Sequence, residues 1–133
     1  MTNRRHTMIK KNAASHHAWA DLQAKRLDPK IVQEIIQGND MMLSRLTLKA
    51  GAQVSRHSHP NEQFTCILEG ALEFRLGEDL EQSATVRAGE VLHIPANVPH
   101  SAFALEDTID LDIFTPQRED WMKPGGEDYF RKG

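Results

Sequence analysis

The chain has 133 residues, a net charge of −3 and 39% apolar side chains, which suits one domain with a packed core and is too short for two. That charge leaves no basic surface to neutralise a nucleic-acid backbone, and no apolar run approaches the roughly 20 residues of a membrane-spanning helix. The N-terminal stretch has no apolar segment of the secretory kind, and the lone Cys66 has no internal disulfide partner, so a cytoplasmic protein is expected.

Residues 1–17, "MTNRRHTMIKKNAASHH", lack hydrophobic periodicity and read as a disordered tail, with the folded domain over 18–133. His16 and His17 read as solvated tail residues, because nothing nearby supplies further metal ligands. From Trp19 onward the chain reads as strands. "KIVQEIIQ" is rich in β-branched residues and stops at the turn signal "GND". "MMLSRLTLKAG", "EQFTCILEG", "ALEFRLGED", "QSATVRAGE", "VLHIPA", "HSAFAL" and "DTIDLDIFTP" follow, most of them punctuated by Gly or Pro. No long segment carries a helical apolar stripe. Many short strands joined by turns predict an all-β sandwich or small barrel. The last stretch, "REDWMKPGGEDYFRKG", reads as an irregular strap anchored by Trp121 and Tyr129.

Within "HSHPNEQF", His57 and His59 are two apart and share a face if they lie on one strand. Gln63 follows after a bend at Pro60, and His100 enters a later strand after "PANVP". Three neutral imidazoles and an amide oxygen suit one borderline divalent ion: Mn, Fe, Co, Ni or Zn. Taken alone, an H-x-H pair fits a polar rim equally well. In "TIDLDIF", Asp110, Asp112 and Phe114 share one face, opposite Ile109, Leu111 and Ile113. Alternation alone would turn the aspartates to water; Phe114 beside them argues otherwise. His93 reads as a hydrogen-bonded strand residue, Arg45, Thr65 and Ile67 as cavity-lining candidates, and Cys66 as a small buried residue.

"GAQVSRHSHPNEQFTCILEG" closely resembles the first motif of the cupin superfamily, with Gly51, His57, His59, Gln63 and Gly70 at its spacing. "GEVLHIPANVPHSAFA" resembles the second, with Gly89, Pro95 and His100. The resemblance covers residues 19–120 and implies a double-stranded β-helix, or jelly-roll barrel, holding one metal on His57, His59, Gln63 and His100. Asn97 stands where the motif usually has glycine, a position that asparagine tolerates at positive φ, and Ala104 replaces the terminal asparagine. The more frequent ligand at the Gln63 position is glutamate. A neutral amide leaves a divalent centre its full double charge, which favours Lewis-acid chemistry on an anion over stabilising an oxidised metal.

"DLDIFTPQREDW", together with the His-His-Gln-His set, resembles the small KdgF-type cupins that linearise unsaturated monouronates from pectin and alginate breakdown. That resemblance implies a small anionic substrate, with Asp112 as general acid/base, Phe114 packing on the sugar and Arg118 gripping its carboxylate with both arms of its fork. Other roles on the same scaffold are a metal-dependent lyase, a dioxygenase or a non-catalytic binder. A homodimer formed through open strand edges is expected.

Overall fold

Alternation along each strand decides which side chains meet. In the strand Met42–Leu48, the residues Met42, Ser44, Leu46 and Leu48 are buried, and those between them lie nearer solvent. The computed structural model describes residues 13–131 and contains ten strands. They are β1 (Lys25–Asp28), β2 (Ile31–Gln37), β3 (Met42–Leu48), β4 (Gln53–His57), β5 (Glu62–Glu69), β6 (Ala71–Leu76), β7 (Gln82–Arg87), β8 (Val91–Ile94), β9 (His100–Ala104) and β10 (Thr108–Thr115). Two antiparallel sheets result, one ordered β1-β2-β3-β10-β5-β8 and the other β4-β9-β6-β7. Leu46, Leu48, Ile67, Leu72, Phe74 and Ile94 fill the space between them. This is the all-β double-sheet barrel that the residue pattern predicted.

Strand β10 is the spine of the larger sheet. It pairs with β3 through Asp112↔Ser44 and with β5 through Asp112↔Thr65. Its inward residues are Thr108, Asp110, Asp112 and Phe114, all buried, so the two aspartates face the interior and not water. The bend between β5 and β6 depends on Gly70, whose φ is +86° and whose missing Cβ would lie 2.3 Å from the Asp107 carbonyl oxygen. Asn97 takes a φ of 66°, so the turn before His100 keeps its left-handed backbone without glycine.

Several expectations need correction. Strand β1 went unread because only Leu27 of its four residues is buried and its pairing with β2 shifts register between Arg26 and Asp28. Trp19–Asp21 is a 3-10 turn, not a strand. Strand β4 ends at His57, and Pro60 lies in the turn beyond it, so His59 stands off the strand. Arg45 sits on the outer face, paired with Glu34 at 3.2 Å and lying 4.8 Å over Trp19, because β3 turns Ser44 and Leu46 inward instead. Cys66 is half-buried on the same outer side. The strap consists of the 3-10 turns Glu119–Met122 and Asp128–Arg131. Of the tail expected over 1–17, residues 1–12 lie outside the described residues, and 13–17 form no helix or strand. Among the described residues, no helix is long and apolar enough to cross a membrane.

Candidate metal centre

His57 closes β4 and pairs with His100 at the start of β9, so the two sheet-end residues are register partners. Their rings lie 4.3 Å apart, and His59 stands 5.8 Å from His57 and 5.1 Å from His100. One ring nitrogen from each of the three lies within 4.8 Å of the others, so the trio could hold a metal ion. Backbone carbonyls set their orientation. Nδ1 of His57 lies 2.8 Å from the Ser55 oxygen, that of His59 3.0 Å from Asn61, and that of His100 2.8 Å from Val98. A carbonyl only accepts, so each Nδ1 carries the hydrogen and each Nε2 keeps its lone pair.

Burial keeps these rings neutral. It is the main reason that His57 is lowered to about 2 and His59 to about 4, helped by the charges of neighbouring groups. His100 is lowered as well, first by burial and then by Arg118. The Asn61 side chain donates to the carbonyls of Pro116 and Gln117, at 2.6 and 2.9 Å, which ties the His59 turn to the segment leaving β10.

Gln63 projects inward from β5. Its Nε2 donates to Thr65 Oγ1 at 2.8 Å, and Thr65 donates to Asp112 Oδ1 at 2.8 Å. The amide is thereby turned so that Oε1 lies 3.0 Å from Nε2 of His59. With His59 neutral and its hydrogen on Nδ1, two acceptors face each other there, an arrangement that a shared cation relieves. The residues present therefore fit a divalent ion with three imidazole nitrogens and one amide oxygen.

Behind Gln63 lies a buried acidic pair. Burial pushes Asp110 well above the ordinary carboxyl range, and the adjacent Asp112 adds to the shift. Burial raises Asp112 too, against hydrogen bonds from Asp110 and Thr65 that hold its charged form. Of the two, Asp110 is raised further and holds its proton more strongly. Sequence reading placed Asp110 on the right face but gave it no part in the site; its position two residues before Asp112 was the available signal.

Arg118 is only 1% exposed. It bonds Asp120 with Nε at 2.9 Å and Nη2 at 2.6 Å, an ion pair formed from inside the protein. That fork is taken, and it does not stand open for a ligand as expected. Its Nη1 has no hydrogen-bond partner among the described residues. Phe114 is buried, edge-on to both His59 and Trp121, with Arg118 5.0 Å over its ring.

The strap supplies residues that sequence reading treated as anchors only. Tyr129 stacks on His57 at 3.8 Å and 12°, and it lines the cavity together with Trp121 and Phe130. Burial is the main reason that its phenol is pushed up to about 12. One cavity brings His57, Gln63, His100, Asp112, Phe114 and Arg118 together. Thr65 and Ile67 are buried on the inner face but are not among the residues lining the cavity; Thr65 reaches the site through its hydrogen bonds to Gln63 and Asp112. His93 stands apart on the outer surface, 2.7 Å from Glu62.

The sequence pattern of the cupin domain family matches residues 44–115. Among solved structures, the chain is similar to KdgF from Halomonas sp., with 26% identity over 80% of this chain and 99% of that one and a TM-score of 0.73. It is similar to an RmlC-like cupin from Shewanella frigidimarina, with 20% identity over 81% of this chain and 96% of that one and a TM-score of 0.72. A manganese-containing oxalate decarboxylase from Bacillus subtilis is 18% identical over 83% of this chain and 33% of that one, with a TM-score of 0.68. A comparison with curated proteins finds no match.

Adding Zn²⁺ or Mn²⁺ to chelator-stripped protein is expected to raise Tm by on the order of 10 °C when the ion exceeds its Kd about a hundredfold. His100→Ala should remove most of that rise, and His93→Ala, on the outer surface, should leave it intact. Thermal melts in paired samples measure both.

Proposed function

Because the chain belongs to the cupin family, we propose that it is a metal-dependent enzyme acting on a small sugar acid, opening the ring of 4,5-unsaturated monouronates. The observation that carries this reading is the buried Arg118 with an unpartnered Nη1, beside a cavity lined also by two of the three imidazoles, His57 and His100, and by Asp112. An enzyme for neutral sugars has no use for a spare guanidinium nitrogen in its interior. The likeness to KdgF, at 26% identity, supports the same substrate class.

A divalent ion held by His57, His59, Gln63 and His100 would polarise the hydroxyl and ring oxygens of the sugar, with no carboxylate ligand to reduce its charge. Arg118 positions the sugar carboxylate through Nη1. Phe114 and Trp121 pack around that arginine and exclude water from it. Asp112 moves the proton. It takes the anomeric hydroxyl hydrogen as the bond between C1 and the ring oxygen breaks, leaving an enolate on that oxygen, and returns the proton to C4 as the enolate becomes a ketone. Thr65 and Asp110 hold the Asp112 carboxyl in place for both transfers.

The working form is a homodimer. Ile36, Leu43, Ile113 and Phe64 are register neighbours across β2, β3, β10 and β5 and form an apolar row on the outer face of the larger sheet. Phe64 and Val91 are 44% and 59% exposed beside it, a surface that a second copy would cover symmetrically.

Metal-loaded protein is expected to abolish the enol-ether absorbance of unsaturated galacturonate faster than buffer does. Asp112→Ala should slow turnover by about a hundredfold or more with metal content unchanged. No acceleration by metal-replete protein contradicts the assignment. Sedimentation at micromolar concentration should give a dimer for the wild type and a monomer for Phe64→Asp; a monomeric wild type contradicts the assembly.

A further inference from the structure

Arg118 has five hydrogens to donate. Its Nε and Nη2 bond the Asp120 carboxylate, and Nη2 also donates to the Tyr129 hydroxyl at 2.7 Å. The guanidinium cannot turn freely to offer this edge to a ligand. Asp120 holds it side-on, and it lies 4.2 Å over Trp121 and 5.0 Å over Phe114. Only Nη1 is left unpartnered among the described residues, and it is buried.

The Tyr129 oxygen accepts a second hydrogen bond, from Trp121 Nε1 at 2.7 Å. Arginine and the indole nitrogen can only donate, so both phenolic lone pairs are used and the hydroxyl hydrogen is left over. No acceptor among the described residues takes it. Two kinds of donor, Nη1 and a phenolic hydroxyl, are therefore left without acceptors on Arg118 and Tyr129, two residues that line one cavity. The Tyr129 ring meanwhile stacks on His57, which places this donor pair next to the imidazole cluster.

We propose that the Tyr129 hydroxyl and Nη1 of Arg118 together form a two-point receptor for the carboxylate of the substrate. This rests on the reading that the cavity takes a sugar acid, and it adds a residue from the C-terminal strap to that site. One carboxylate oxygen accepts from Nη1 and the other from Tyr129, which supplies the second contact that the Asp120-occupied fork cannot. The receptor selects acids over their amides, because an amide nitrogen would bring hydrogens against one of the two donors. Tyr129 is a binding residue here and takes no part in proton movement.

The test measures Kd by calorimetry for D-galacturonate and D-galacturonamide on the zinc-loaded full chain, wild type and Tyr129→Phe. The phenylalanine keeps the ring on His57 and removes only the hydroxyl, and zinc content is measured in both proteins. The expected result is a wild type that prefers the acid and a variant whose affinity for the acid falls about tenfold or more, with its affinity for the amide unchanged. Acid and amide weakened by the same factor would make Tyr129 a packing residue and overturn the receptor, as would no change in either. A wild type without preference for the acid overturns both the receptor and the sugar-acid reading. If the preference exists and is lost in Tyr129→Phe, yet unsaturated galacturonate is not turned over, the receptor stands and only the ring-opening activity falls.

Discussion

Three backbone carbonyls, those of Ser55, Asn61 and Val98, each take the Nδ1 hydrogen of one histidine, and the interior of the barrel is organised around the consequence. Each ring is fixed in one tautomer, with a lone pair left on Nε2. Burial keeps the rings uncharged, so protonation does not relieve the crowding of lone pairs. Gln63 adds a further acceptor beside His59. Lone pairs converging in this way repel one another, and a shared cation satisfies them together.

Around this centre the polar groups form two chains rather than scattered pairs. One runs from Gln63 through Thr65 to Asp112 and Asp110, and fixes which end of the amide faces the imidazoles. The other links Asp120, Arg118, Tyr129 and Trp121, and carries a guanidinium into a place where it is nearly inaccessible to water. Strand β10 and the strap that follows it contribute to both chains. Asp110 and Asp112 come from the strand, and Arg118, Trp121 and Tyr129 come from the residues after it. Burying two carboxyls and an arginine is costly unless each has partners. The partners present leave Asp110 Oδ1, Arg118 Nη1 and the Tyr129 hydroxyl hydrogen without a partner within these chains, and the last two are the donors proposed to bind an anion.

The barrel was legible because period-two alternation is a strong signal in β3 and β10, and because turn residues such as Gly70 occupy positions that demand them. The imidazole cluster was legible through motif spacing, not through local geometry: His59 is not on the strand that the H-x-H pattern implied, and it reaches the site through the turn at Pro60. Asp112, Phe114 and Arg118 were found by resemblance, and the structure brings them to one cavity. What sequence could not give was the partner of each group. That Asp120 occupies the arginine fork, that Thr65 orients Gln63, and that Tyr129 folds back onto His57 from 72 residues away along the chain all depend on tertiary approach. Leu27 alone could not announce β1, since one buried side chain has no period.

The central claim is that three Nε2 atoms and one amide oxygen share a single cation. X-ray absorption at the metal edge of the purified protein measures this directly. The account predicts about three imidazole nitrogens and one further oxygen from the protein in the first shell, at about 2.0–2.2 Å, with outer-shell scattering of rings bound through Nε2. A spectrum with one imidazole or none, or with rings bound through Nδ1, would contradict it.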